Sequence, residues 1–277
     1  MNIDYSIAIF GSVSCGKSTL INSIFAKHLS QMNIRRTTMT PQVYNFNCQI
    51  DTHIDDDTEI LLQNEEINSK FQVEIWDGKT INSFDSPFPP NFLPENPNLN
   101  FRLYDLPGLN DQSTSHIYMN WARNNFSLFD CIILVIDINS GLNTSDEINI
   151  CELIFSKMAV FQHVNLIILT NKCDEIDYRN GQYIVCNREK EEIFNEQVIP
   201  TLNRLKEKYK IDESITKKVI GAILSHDDWI GKDNVPQYDL ILSTADKASF
   251  DSVRAYSYTW ASNKYCRENN KPIMFSL

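Results

Sequence analysis

The residues with the clearest chemical meaning stand near the N-terminus, in the run Gly11-Ser12-Val13-Ser14-Cys15-Gly16-Lys17-Ser18. This is a complete G-x-x-x-x-G-K-S pattern, set between an apolar stretch and a segment with helical spacing, which is the context in which such a loop holds phosphate. The reason lies in the backbone. A loop that turns successive N–H groups toward one point makes an anion cradle, and glycine permits the dihedrals and the close approach. A helix opening near Lys17 adds the positive end of its dipole. Lys17 is expected to reach the β- and γ-phosphates of a nucleotide and Ser18 to ligate Mg2+ through its hydroxyl, with Thr19 ending the nucleotide-contacting run.

Two further boxes follow in order. Asp105-Leu106-Pro107-Gly108 comes after an apolar stretch. A carboxylate at a strand's end beside the phosphate loop can hold Mg2+ through a water. The Gly108 N–H can then bond the γ-phosphate alone, so the segment after it would sense GTP against GDP. Asn171-Lys172-Cys173-Asp174 also follows a β-branched stretch. There the Asp174 carboxylate can accept from the ring N–H and the exocyclic amine of guanine, neither of which adenine offers in that geometry. Two charge-assisted bonds of roughly 1.5–3 kcal/mol each would favour GTP over ATP by about a hundredfold or more. The Lys172 stem would cover the base plane, and Asn171 would tie this loop to the first.

The elements that must position these boxes can be read from apolar patterning. Short β-branched runs recur at Tyr5–Phe10, Val43–Ile50, Asn100–Tyr104, Cys131–Ile136, Val164–Thr170 and Lys218–Leu224. Helical spacing marks Lys17–Ser30, Asp57–Lys70, Ser145–Ala159, Asn187–Lys210 and about Ala245–Glu268. Strands apolar throughout that alternate with helices predict an α/β, three-layer fold: a mostly parallel central sheet with helices on both faces. The Pro- and Asn-rich run Ser83–Asn100 reads as a loop. One domain over residues 1–277 is expected, with an inserted helix and loop at about 51–99.

Composition excludes other classes. A net charge of −11 opposes non-specific binding of nucleic acid or anionic lipid. Lys206, Lys208 and Lys210 cluster, but read as a solvated helix face. The seven cysteines are scattered and form no Cys-x-x-Cys pair, which suits free thiols in a reducing, cytoplasmic setting. No apolar run reaches the roughly 18–20 residues that span a bilayer, and neither a secretory leader nor a prenylation box is expected.

The three boxes resemble the P-loop GTPases of the translation-factor-related class, over Tyr5 to about Asp228. That resemblance implies the P-loop NTPase fold and a Mg2+-ligating switch threonine between the first two boxes. Here the sequence is more similar to the dynamin-like GTPases, because Thr38-Met39-Thr40-Pro41 matches their T-x-x-P. Thr38 is the choice, with Thr37 and Thr40 as rivals. The Asp105–Gly108 wording, the long insertion and Asn143-Thr144-Ser145-Asp146 are similar to the same family. Its last base-contacting loop would fall at Ser225 and His226, where the match is poor. Ras-like enzymes place a water-orienting Gln where this chain has Leu109, so the Thr38 and Gly108 backbones would hold the water; Asn110 and Gln112 lie out of register. Dynamin-like proteins hold a monovalent cation with the P-loop serine to which Ser14 corresponds. That implies K+ or Na+ and a nucleotide-dependent homodimer in place of an arginine finger. Val13 is bulkier than the family's usual residue and could slow hydrolysis. Cys15 reads as loop filler, although a helix N-terminus can lower a thiol pKa. About 50 residues follow Asp228, so the resemblance is expected to cover the GTPase domain and not a stalk. The expected function is Mg2+-dependent hydrolysis of GTP to GDP and phosphate. A GTP- or GDP-loaded scaffold with negligible hydrolysis is the alternative, and an ATPase or nucleotide kinase is opposed by Asn171 and Asp174.

Overall fold

The computed structural model describes residues 3–25, 42–47, 72–76, 79–85, 99–106, 108, 115–172, 176–179, 182–185, 192, 194–212, 216–220, 256–257 and 259–271. Strand β1 (Ile3–Gly11) lies inside the main sheet and alternates strictly. Tyr5, Ile7 and Ile9 join one buried cluster, Ala8 and Phe10 the other. Strands β5 (Leu99–Asp105) and β6 (Cys131–Asp137) flank β1 in parallel, and β7 (Asn165–Asn171) and β10 (Thr216–Ile220) continue in parallel beyond β6. On the other side β2 (Gln42–Asn47) runs antiparallel to β5, β4 (Lys79–Asp85) pairs parallel with β2, and β3 (Gln72–Trp76) pairs antiparallel with β4. The order across the eight strands is β10-β7-β6-β1-β5-β2-β4-β3. A separate hairpin pairs β8 (Ile176–Arg179) with β9 (Gln182–Val185).

Helices cover both faces because both faces are apolar. In β6, Ile132, Leu134 and Ile136 pack with α2 (Ser115–Asn124), α3 (Ser145–Met158) and α4 (Ile199–Tyr209), through side chains such as Trp121, Ile154 and Leu202. Cys131, Ile133 and Val135 point to the other cluster, which holds Leu20 and Ile21 of α1 (Lys17–Phe25) and Trp260 and Ala261 of α5 (residues 259–268). The result is the expected three-layer P-loop NTPase architecture.

Local chemistry sets the helix ends. Thr144 caps α3: its hydroxyl accepts the Glu147 N–H at 3.2 Å while Glu147 Oε2 accepts the Thr144 N–H at 3.3 Å. Helix α4 follows a π-turn at Phe194–Val198, takes Pro200 into its first turn, and stops at Lys210, whose φ of 55° is left-handed. Lys208 donates to both Glu152 oxygens, at 2.8 and 2.9 Å, and the Tyr209 hydroxyl bonds the same carboxylate. Lys208 first and Tyr209 second hold the Glu152 carboxyl below its ordinary range. At the far end of the sheet Lys264 joins α5 to β1 and β6, bonding both Asp130 oxygens at 2.9 Å and the Asp4 carbonyl at 2.8 Å.

Several expectations change. Lys206 is not on a solvated face: it is only 4% exposed, because it falls one turn after Leu202 and beside Leu205 on the buried side of α4. Ser83–Asp85 belong to β4, not to a loop, since pairing with β2 and β3 supplies the hydrogen bonds that Pro87 and Pro89 beyond them cannot. The hairpins β3–β4 and β8–β9 and the helix α2 are additional to the elements that apolar patterning predicts. Their signals were present: Asp77-Gly78 and Asn180-Gly181 are two-residue hairpin pairs, and Tyr118, Trp121 and Ala122 keep helical spacing. The helix expected at Asp57–Lys70 lies outside the described residues.

Phe129 centres an aromatic cluster that joins the sheet to α2. Its ring lies 5.3 Å from Tyr104, 5.9 Å from Phe126, 6.1 Å from Phe10 and 6.2 Å from Trp121. Phe129→Ala is expected to cost about 3–5 kcal/mol of unfolding free energy. Urea denaturation measures it, and a loss below about 1 kcal/mol would contradict this role for the cluster.

Candidate functional site

Strands β1, β5, β6 and β7 end at Gly11, Asp105, Asp137 and Asn171. The register sets Ile9 beside Asp105, Gly11 beside Val135, and Asp137 beside Asn171. The described parts of all three boxes therefore meet at one rim, the crevice beyond the carboxyl ends of a parallel sheet where α/β proteins bind ligands.

The loop from Gly11 to Ser18 passes from β1 directly into α1. Ser14 is exposed at its tip with φ 62°, a left-handed conformation uncommon for a residue with a side chain. The Lys17 side chain folds into the loop and is 7% exposed. Its ammonium donates to the carbonyls of Gly11 at 3.1 Å and Ser12 at 2.7 Å, and its third hydrogen faces Cys15 Sγ at 4.0 Å. Three loop acceptors thus hold a positive charge beneath the turn. The N–H groups at the start of α1 face the same rim, so the arrangement suits an anion.

Cys15 is fully buried. Burial pushes its thiol pKa up; Lys17 pulls the other way and does not overcome it. The helix N-terminus therefore does not make this a reactive thiolate. Cys131, Cys151 and Cys266 are free and buried as well, and burial takes the Cys151 thiol up to about 12.

Asn171 ties the third box to the first. Its Nδ2 donates to the Cys15 carbonyl at 3.0 Å, and the side chain is 2% exposed. Gly16 sits against it with φ 102°, and a Cβ there would run into the Asn171 amide. Next to it Lys172, φ 62°, sends its ammonium to Asp137 Oδ2 at 2.6 Å. Reading motifs alone missed Asp137. The available signal was a charge closing the apolar strand β6.

Asp105 is wholly buried at the end of β5. Gly108 is buried against the P-loop: a Cβ on it would lie 2.8 Å from Val13 Cα and 2.9 Å from Val13 N. The second box thus reaches the first through Val13, whose side chain faces the Gly108 backbone. Among the described residues no group of three or more His, Cys, Asp or Glu could hold a metal. A hydroxyl on Ser18 and a carboxylate on Asp105 fit Mg2+, which takes few protein ligands and fills its shell with phosphate and water. Thr37, Thr38, Thr40, Leu109, Asn110, Gln112, Asp174, Ser225 and His226 lie outside the described residues.

Comparison with known proteins agrees with this geometry. A family model described as 50S ribosome-binding GTPase matches residues 6–172. An uncharacterized protein of Acanthamoeba polyphaga mimivirus is 28% identical over 191 residues, which cover 63% of this chain and 30% of that protein. The chain therefore spans less than a third of that relative. Among solved structures, a dimerization-deficient mutant of Toc33 from Arabidopsis thaliana superposes with a TM-score of 0.52 at 10% identity, covering 94% of this chain and 85% of that one. Toc33 in complex with Mg2+ and GMPPNP gives 0.51 at 11% identity, covering 95% and 86%. A member of an oligomerised bacterial dynamin pair gives 0.57 at 14% identity, covering 98% of this chain and 41% of that one. At these identities the structural likenesses speak to the fold. Among the described residues no helix is long and apolar enough to cross a membrane.

Two outcomes follow from the loop. Asn171→Ala leaves the buried Cys15 carbonyl without its donor, at an expected cost of about 1–3 kcal/mol, read by thermal or urea unfolding. Because burial raises the Cys15 pKa, the thiol stays protonated through neutral pH. Iodoacetamide at pH 8 should label Cys15 in the native protein far more slowly than in urea, as peptide mass spectrometry would show.

Proposed function

The chain belongs to the 50S ribosome-binding GTPase family, a family of GTP hydrolases, and on that premise we propose that it is a slow, Mg2+-dependent GTPase stimulated when two nucleotide-loaded copies meet. The observation that carries the reading is the meeting of Lys17, Asp105, Gly108 and Asn171 at one rim of the sheet. The family match, which runs through the first two boxes and into the third, supports it.

Each role follows from its chemistry. The N–H groups of Gly11 to Thr19 receive the phosphates, and Lys17 shares its ammonium between the Gly11 and Ser12 carbonyls and the β- and γ-oxygens. Ser18, Thr38 and Asp105 would hold Mg2+, which would supply positive charge against the phosphate oxygens. Gly108 donates its N–H to the γ-phosphate, and its backbone and that of Thr38 hold the attacking water in place of the Gln that Leu109 replaces. Asn171, Lys172 and Asp174 take the guanine, with Ser225 and His226 beside it. Hydrolysis of this kind is mostly positioning and charge, so these groups suffice for a slow turnover.

The finer reading is dynamin-like and cytoplasmic. Ser14 helps hold K+ or Na+, and the second copy organises that cation in the absence of an arginine finger. The exposed, left-handed Ser14 at the loop tip supports this. So do two structural relatives, Toc33 as a dimerization-deficient mutant and a bacterial dynamin as an oligomerised pair. A single domain over residues 1–277, with its insertion at about 51–99, belongs to the same proposal; β3 and β4 of the insertion pair into the main sheet beside β2. One observation favours the alternative, a nucleotide-loaded scaffold: Val13 packs against Gly108, where bulk would hinder an incoming catalytic group.

Single-turnover hydrolysis of GTP with Mg2+, in Na+ and in K+, tests the reading together with light scattering in GDP, GTP and GDP with aluminium fluoride. Turnover above the uncatalysed rate, dimers with the aluminium fluoride mimic and a K+ effect lost in Ser14→Ala are expected, and Lys17→Ala should abolish hydrolysis. A monomer in every state would overturn the dimer, K+-insensitive turnover would remove Ser14, and bound GTP that never turns over would establish the scaffold. Equal affinity for ATP would overturn the base assignment.

A further inference from the structure

Asp137 belongs to none of the three boxes, yet its carboxylate meets Lys172 Nζ at 2.6 Å. The two residues stand 35 positions apart and meet because β6 and β7 are adjacent parallel strands in which Asp137 pairs with Asn171. Asp137 is itself held firmly. Its Oδ1 accepts the Asn139 N–H at 3.0 Å, and its carbonyl accepts the N–H groups of Ser140 at 3.2 Å and Gly141 at 2.9 Å. The Ser140 hydroxyl lies 3.1 Å from the same carbonyl and 3.0 Å from Oε1 of Glu147, the residue that closes the α3 capping box. The acceptor is therefore fixed to strand β6 and helix α3, while the lysine reaches it on a flexible stem from the next strand end.

We infer that Asp137 is a positioning residue for base recognition: by pinning the Lys172 ammonium it turns the lysine's methylene stem into a preformed apolar wall for one face of guanine. The inference rests on the guanine reading above. A lysine stem that is free loses rotamer freedom when a base settles on it, and a stem already held by an ion pair does not. The pair is 39% and 17% exposed at its two side chains, so it adds little to folding. Its effect belongs in nucleotide release. It also belongs to the base and not to the phosphates, so GDP and GTP should respond alike.

The experiment follows release of the fluorescent nucleotides mant-GDP and mant-GTP from the full chain with Mg2+, alongside thermal melting of the nucleotide-free protein. Asp137→Ala should release both nucleotides about tenfold faster, the scale of one charge-assisted bond, with little change in melting. Asp137→Glu should recover most of the slow release. Leu153→Ala, which empties a buried site on the same helix α3 without touching Lys172, should lower melting but keep release within about twofold of the unaltered chain. Release in Asp137→Ala equal to the unaltered chain would overturn the inference. So would equal acceleration in Leu153→Ala, or acceleration confined to mant-GTP. An unaltered chain that retains neither nucleotide would sink the guanine reading itself and the inference with it.

Discussion

Asn171 reaches from the end of β7 to the carbonyl of Cys15, 156 residues earlier in the chain, and the P-loop takes its shape against that contact. A loop that turns its N–H groups toward one point must turn carbonyls away, and each buried carbonyl then needs a donor. Asn171 supplies one from outside the loop and Lys17 supplies two from within it. The closeness of the contact leaves room only for glycine at position 16. The part of the chain suited to phosphate and the part suited to a base are thereby joined as one rigid rim, and neither can shift without the other.

That rim stands on a sheet buried from both sides. Alternate residues of β1 and β6 feed two separate clusters, so the strands cannot slip by one position without exchanging every side chain between unlike neighbours. The aromatic group around Phe129 adds directional packing on one face. At the sheet's opposite end the bidentate contact between Lys264 and Asp130 fixes the last helix to the starts of β1 and β6. Stiffness below the rim lets small side-chain groups above it be held to fractions of an ångström, the condition for recognition by a few polar atoms.

The legibility of each part followed the sequence distance over which its physics acts. The P-loop is contiguous, so its residue types alone specify backbone curvature and charge. Strands β1, β6 and β7 are legible because burial on both faces makes their central residues largely apolar. The hairpins β3–β4 and β8–β9 were signalled only by Asp77-Gly78 and Asn180-Gly181, because their flanks are too polar to read as core. Lys206 read as exposed since a lysine's burial depends on what packs above its helix, which no local pattern records. Cys15 reads as loop filler beside a helix terminus that could lower a thiol pKa, and its complete burial shows why the lowering does not prevail.

By itself the sequence determined the class of fold, the order of the boxes and the chemistry each can perform, because those depend on residue types spaced within one strand, one turn or one helix. The tertiary structure decided which side chains act together. Gly108 rests on Val13, Asn171 holds Cys15, and Asp137 holds Lys172. Each of these pairs is far apart in the chain and near in space only because parallel strands in register carry their ends to the same edge. Register is a property of the packed sheet, so no single segment contains it.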